Sequence, residues 1–427
     1  MVEATVALVV VLALLLLSSA PIAVALGLTS LIYIYYFTLM PMTQVPERLF
    51  NALNSFPLMA IPFFIVAANV MSTGGISRRL TEFGASLVGH MKGGLGATAV
   101  LACMFFAAVS GSSPATVVAV GGLIIPAMIK NGYPREFSTG IVATSGSLGI
   151  LIPPSIPLIV YGISTEQNIG DLFLAGVLPG VFAGLLLLAV VVFMAWKRGY
   201  GRTGPAVKAS PKAQLKTFRD AILALLLPVI VLGGIYTGLF TPTEASAVAV
   251  GYSVLVSLIV YRELKFKDLF SIAVKSARTS AMIMFIIANG ILFTFVLTIE
   301  RIPANISDAI ASWNLEAWQF LILVNILLLI VGCVMETSSA ILILAPILLP
   351  IAMSVGVDPI HFGIIVVMNL EIGMITPPLG LNLFVASGMS GLSVLRVAKA
   401  ALPTALVLLV ALMIVTFVPF LSTAFLG

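Results

Sequence analysis

GILIPP at Gly149–Pro154 returns as GMITPP at Gly373–Pro378, an offset of 224 residues. At the same offset LIIP ending at Pro126 meets ILLP ending at Pro350, Gly132 falls on Gly356, and Pro179 falls on Pro403. Four landmarks in one register establish an internal repeat. Each copy carries a Gly-x-x-x-Pro-Pro break preceded by a small polar cluster, SGSSPA at Ser110–Ala115 and METSSA at Met335–Ala340.

Composition places this repeat in a bilayer. The chain has 427 residues, with 21 Lys or Arg and 16 Asp or Glu; charged residues are 9% against about 25% in soluble proteins. Hydrophobic residues reach 60%, which leaves too few polar side chains to cover a soluble surface. Disorder is excluded, because it requires low hydrophobicity and high charge. The class is an all-α polytopic membrane protein. Cys103 and Cys333 lie in apolar stretches without metal spacing and read as buried thiols. The first apolar run lacks a basic flank and exceeds signal length, so no cleavable signal peptide is expected.

A spanning helix needs roughly 20 apolar residues. Uninterrupted runs lie near 4–20, 22–40, 57–72, 173–196, 221–240, 243–261, 280–299 and 402–426. Stretches 94–129, 137–163, 319–354 and 360–389 are apolar but broken by Gly, Ser, Thr, Asn and Pro, and 43–56 is amphipathic, suited to the interface. The organisation expected is 1–56, N-terminal scaffold helices with the interfacial helix; 57–196, the first repeat; 197–219, a basic loop; 220–279, further scaffold helices; and 280–427, the second repeat.

Lys197, Arg198, Arg202, Lys208, Lys212, Lys216 and Arg219 make the 197–219 connection basic. The positive-inside bias makes it a cytoplasmic loop rather than a nucleic-acid or anionic-lipid site. Counting spans from there leaves Arg262, Lys265 and Lys267 inside and Glu300, Asp308 and Glu316 outside. Stretch 94–129 is flanked by Lys92, Lys130 and Arg135, so both ends are inside; 319–354 is flanked by Glu316 and Asp358, so both ends are outside. Two re-entrant hairpins thus enter from opposite faces, and the repeats are inverted.

Proline has no amide hydrogen and its ring blocks the preceding helical turn. The pairs Pro153–Pro154 and Pro377–Pro378 therefore release carbonyls near Gly149, Ile152, Gly373 and Thr376. Unpaired backbone is tolerated at membrane depth only where it lines a cavity or binds something. Freed carbonyls beside tip hydroxyls suit a hard cation, and broken transporter helices hold Na⁺ in this way, giving one site per repeat. The alternative is plain kinking and helix packing; repetition at one offset, with a polar tip each time, favours the cation.

SGSSPATV with GILIPPSIPLIVYG, and METSSAILILAP with GMITPPLGLNLFV, resemble the large membrane subunit of TRAP transporters (tripartite ATP-independent periplasmic, DctM or SiaM type). The resemblance covers essentially the whole chain. It implies an elevator-type transporter in a bacterial inner membrane, with a mobile domain of hairpins and broken helices on a scaffold. It also implies Na⁺-driven uptake of an organic acid, with a periplasmic substrate-binding protein and a small four-helix membrane subunit as partners. The first sodium site carries over onto Ser110, Ser112, Gly149, Ile152 and Pro154, and the second onto Gly332, Thr337, Gly373, Thr376 and Pro378, so at least two Na⁺ are expected. Substrate would sit between the tips, hydrogen-bonded by Ser112, Ser113, Ser155, Thr337 and Ser338. The tips carry no Lys or Arg, so dipoles, hydroxyls and Na⁺ would hold the anion. Sialic acid or another sugar acid suits the hydroxyls, with C4-dicarboxylates as the other option.

Glu336 and Glu371 are the acids placed deep in the membrane, functional or structural. Asn69, Asn289, Asn325 and Asn369 read as glue between helices, Trp313 and Trp318 as interface anchors. An intramembrane hydrolase lacks a base near SGSS, since His90 lies in a basic loop and His361 at an outer end; Asp308 and Asp358 lie in connections, so no paired-aspartate protease is expected. The chain is not an enzyme. Closed hairpins suit alternating access better than a channel. The rivals left are a stand-alone sodium/dicarboxylate symporter and a sodium/proton antiporter using Glu336 and Glu371.

Overall fold

A computed structural model describes residues 2–18, 20–201, 210–305, 315–378 and 380–426. Its regular elements are helices, and eight of those described are long and apolar enough to cross a membrane. Helices α1 (Val2–Leu17), α2 (Ile22–Phe37), α3 (Gln44–Leu53), α4 (Ala60–Thr73, after a 3₁₀ turn Phe56–Met59) and α5 (Ile76–Val88) precede the first repeat elements. These are α6 (Gly94–Ser110), α7 (Ser113–Lys130), α8 (Arg135–Gly146), α9 (Leu148–Leu151), α10 (Ile156–Thr165) and α11 (Ile169–Arg198). Then come α12 (Pro211–Tyr236), α13 (Pro242–Leu255) and α14 (Phe266–Ile299). The second repeat supplies α15 (Ala317–Gly332), α16 (Thr337–Ser354), α17 (Pro359–Gly373), α18 (Leu381–Ser390), α19 (Val394–Phe417) and the short α20 (Phe420–Thr423).

Every apolar run becomes a helix, and the four interrupted stretches break where Gly, Ser and Pro stand. Stretch 94–129 is the hairpin α6–α7, and 319–354 the hairpin α15–α16. Stretch 137–163 bends by 42° between α9 and α10. The offset of 224 survives in three dimensions. Helices α7 and α16 are both 18 residues long and start at Ser113 and Thr337; α8 and α17 start at Arg135 and Pro359. Gly132 and Gly356 both adopt left-handed φ, 80° and 83°, which a side chain would resist. Both Pro–Pro bonds are cis.

Several boundaries move. The basic connection is shorter than 197–219, because Lys197 and Arg198 form the last turn of α11 and α12 begins at Pro211, capped by the Ser210 hydroxyl. Arg202, Lys208, Asp308 and Trp313 lie outside the described residues. The boundary expected at 279/280 falls inside α14, one uninterrupted helix. Amphipathic α5 was not expected; its polar face carries Arg78, Arg79 and Glu82 and its apolar face is buried. Cys103 is buried, but Cys333, at the end of α15, is only half-buried.

The elements ahead of the first hairpin pack on α12–α14. Helix α3 lies beside α14, with the Arg48 guanidinium 3.4 Å above the Phe295 ring. At the basic end of the bundle, Glu263 in the α13–α14 turn receives Arg78 at 2.6 Å and Arg79 at 2.8 Å, and Arg79 lies 3.6 Å over the Tyr261 ring. Burial pushes the Glu263 carboxyl up, and the two guanidiniums outweigh it, holding it below the usual carboxylate value. A depressed carboxyl contributes stability above its unfolded pKa and loses it as pH falls through the folded one. Glu263→Gln should therefore cost at most about 1 kcal/mol at neutral pH, given the partial exposure. The gap between variant and wild type should be full above about pH 4.3, the ordinary glutamate value, and close as pH falls through the lower folded value. Melting temperatures in detergent test this, and a gap that persists in acid argues against the ion pairs.

Candidate functional site

The first tip and the first break form one packed unit. Ser110 ends α6 and is fully buried. Its Oγ lies 2.7 Å from Thr116 Oγ1 and donates to the Ser112 carbonyl at 3.3 Å; Thr116 Oγ1 donates to the same carbonyl at 2.9 Å. Gly111 turns the chain with φ 58°, and its carbonyl accepts from Ile156 N at 3.2 Å, just beyond the prolines. A Cβ on Gly149 would fall 2.9 Å from Ser112 O, and one on Gly111 would fall 2.9 Å from Pro154 O. Ser110, Ser112, Gly149 and Pro154 thus meet, while Ile152 closes α9 in extended conformation.

The second unit repeats the arrangement with other side chains. A Cβ on Gly332 would lie 3.1 Å from Gly373 Cα, so α15 and α17 touch backbone to backbone there. Thr337 Oγ1 meets Met374 Sδ at 2.9 Å, and Thr376 Oγ1 donates to Ile372 O at 2.8 Å. Gly332, Thr337, Gly373 and Thr376 are neighbours; Pro378 stands at the break beyond them. Glu336, opposite Ser112 in the repeat, caps α16: its carboxylate accepts from Ser338 Oγ at 2.9 Å and from Ser339 N at 3.0 Å.

Both tips open on a cavity of about 500 Å³, closed on the far side by the start of α2 and by Thr279, Met282, Phe285 and Ile286 of α14. Ser112, Ser113, Thr337 and Ser338 line it, as does Glu336. Ser155 does not: it is buried and caps α10, its Oγ accepting from Leu158 N at 3.4 Å. Helices α7 and α16 start at the cavity, so their positive dipole ends favour an anion there. Ser112 makes no side-chain cap bond, so first-turn amides of α7 are left without one, whereas Glu336 takes up one of those of α16, that of Ser339.

Behind the tips, Glu371 is buried on α17 and its Oε1 accepts from Asn382 Nδ2 at 3.0 Å. Asn382, which opens α18, also donates to Ser113 Oγ, and to Ser147 Oγ at 3.4 Å. Glu371 thereby bridges the second break and ties it to the first hairpin and the first broken helix. Other polar clasps cross helices as expected: Asn69 to Ser276 at 3.0 Å and Asn369 to Asn325 at 2.6 Å. Asn289 instead bonds Phe285 O on its own helix. His361 is buried against Ser422 and the Thr416 carbonyl, and lines neither tip cavity.

Sequence reasoning missed three participants. Thr116 stands four residues after Ser112, the spacing that puts both on one helix face, and that signal was available. Asn382 lies within the second repeat motif without a local cue to its partner. Lys275 corrects the expectation that no cation approaches a tip: it lines a second chamber of about 290 Å³ together with Ser110 and Ser112. It comes from α14, far from either tip in sequence.

Residues 9–421 match the family described as Tripartite ATP-independent periplasmic transporter, DctM component. The C4-dicarboxylate TRAP transporter large permease protein DctM of Pseudomonas aeruginosa is 49% identical over 401 residues, 94% of this chain and 93% of that one. The sialic acid TRAP transporter large permease protein SiaM of Vibrio cholerae is 34% identical, over 95% and 94%. These relatives are permease subunits, not enzymes. The crystal structure of the Alcanivorax borkumensis YdaH transporter superimposes with a TM-score of 0.62 over 91% of each chain at 15% identity, a likeness of fold. The chain, an inverted-repeat membrane protein with two hairpins and two broken helices, belongs to the DctM family and is the large permease subunit of a TRAP transporter.

Proposed function

We propose that this subunit carries out sodium-coupled uptake of a small organic acid, a C4-dicarboxylate ahead of a sialic or other sugar acid, by an elevator movement of the hairpin domain. The observation that carries the reading is the convergence of two half-helix N-termini and four tip hydroxyls on one cavity of about 500 Å³. The higher identity to a dicarboxylate permease than to a sialic-acid permease supports the choice of substrate. The hydroxyl-rich tips favour the sugar acid as second reading.

In this reading one Na⁺ sits among Ser110, Ser112, Gly149, Ile152 and Pro154, where tip hydroxyls and carbonyls already crowd together. A second sits among Gly332, Thr337, Gly373, Thr376 and Pro378. The mobile domain comprises the two hairpins and the two broken helices, held by the helices ahead of the first hairpin and by α12–α14. A small membrane subunit and a periplasmic binding protein complete the system in the inner membrane, with the binding protein delivering substrate.

Ser112→Ala tests the first site in proteoliposomes holding both membrane subunits, with binding protein and succinate outside. Uptake should fall at least about tenfold at limiting Na⁺, and the Na⁺ concentration for half-maximal rate should rise, since a hydroxyl lost beside an ion removes about 1.5–3 kcal/mol. An unchanged sodium dependence rejects the assignment.

A further inference from the structure

We infer that the chamber lined by Lys275 is a second carboxylate-binding station, on the path between the tip cavity and the cytoplasm. The inference rests on the reading of the chain as an organic-acid permease. The chamber, about 290 Å³, lies between α4, α14 and the outer flank of the first tip. It shares Ser112, Pro114, Ile156, Thr279 and Ile283 with the central cavity, so the two spaces adjoin across the tip.

Two polar groups equip the chamber for an anion. Lys275 lines it and makes no ion pair with any described residue. Asn69 lines it from α4, its Nδ2 donating to Ser276 Oγ at 3.0 Å and so fixed in place. Thr279, one turn beyond Lys275, faces both spaces and donates to the Lys275 carbonyl at 3.2 Å. An ammonium offers three donors and a full charge to a carboxylate, which the tips do not. Lys275 belongs to the basic third of α14, near Lys265, Lys267 and Arg278; the positive-inside bias puts that end in the cytoplasm. A substrate leaving the tips in that direction passes from dipoles and hydroxyls to a full positive charge.

The consequence is one-sided. In reconstituted complex, Lys275→Gln should raise the internal succinate concentration for half-maximal exchange about tenfold, the loss expected for one charge-assisted bond. Half-saturation on the binding-protein side should not change, and Lys275→Arg should behave as wild type. Equal shifts on both faces, or none, overturn the inference. A second measurement needs no transport. In a Cys103→Ala, Cys333→Ala background that keeps Lys275, Ser72→Cys, in the lining of the same chamber, is labelled by an anionic methanethiosulfonate. Succinate or N-acetylneuraminate should slow labelling; if neither does, Lys275 faces only water or lipid headgroups and the inference fails. A wild-type complex that moves neither acid would instead count against the substrate reading, with the labelling result still deciding Lys275.

Discussion

Glu371→Ala is expected to abolish uptake and to lower the melting temperature of the purified subunit more than any substitution at a cavity-lining hydroxyl. The Glu371 carboxyl group belongs to a buried cluster centred on Asn382. Asn382 donates to it at 3.0 Å while also reaching Ser113 and Ser147. Those residues come from α17, α18, the start of α7 and the α8–α9 junction, so the cluster holds parts of both repeats. Removing the carboxyl group takes away the acceptor that Asn382 finds on α17, a loss of about 0.5–1.5 kcal/mol, in addition to the cavity the lost side chain leaves. The first hairpin tip would lose its register against the second break, and with it the placement of Ser112 and Ser113. Glu371→Gln keeps the accepting oxygen and the volume, and should recover most of the stability. Uptake in proteoliposomes and unfolding in detergent are the measurements. Wild-type behaviour of the Ala variant would show that the clasp is dispensable.

Glycine at the two breaks is the second point of large effect. A Cβ at 149 would lie 2.5 Å from Thr116 Oγ1 and 2.9 Å from Ser112 O, whereas one at 373 would run into the Gly332 backbone. A hydroxyl can rotate away; a main chain packed on both sides cannot. Gly373→Ala should therefore lose uptake altogether and destabilise by about 1–3 kcal/mol, the range for overpacking. Gly149→Ala should retain a residue of activity with a weakened sodium response. Gly388→Ala, on the open side of α18 with no atom within 4 Å of the added methyl group, serves as the control and should transport normally. A Gly373→Ala variant as active as that control would mean the contact between α15 and α17 opens freely during transport.

How far such features were legible depends on whether their cause is local. Spans follow from runs of apolar residues, hairpins from the Gly, Ser and Pro that interrupt them, and the repeat from a fixed offset that a linear text displays directly. Helix α5 escaped because Arg78, Arg79 and Glu82 depress its mean hydropathy although one face is buried. Glu336 stood out as a deep acid. Its capping of α16 was hidden because Ser, Thr, Asp and Asn, not Glu, are the usual N-caps. Lys275, Asn382 and Thr116 divide on the same principle. Thr116 is one turn from its partner, whereas Asn382 reaches Ser113 across 269 residues and Lys275 lines a chamber with a tip far away in sequence, where only the folded chain brings them together.

The clasp between Ser113 and Asn382 also sets a timetable. Its partners are 269 residues apart, and Thr144 waits similarly for Thr404 across 260. At about 5–20 residues per second, a ribosome delivers Asn382 roughly 13–54 s after Ser113. The first hairpin is thus inserted long before its Ser113 hydroxyl meets Asn382, and that hydroxyl must rest in the interim beside water, the translocon or a temporary protein neighbour. Quality control that recognises exposed polar groups in a nascent bilayer segment would have its widest window on this half of the molecule.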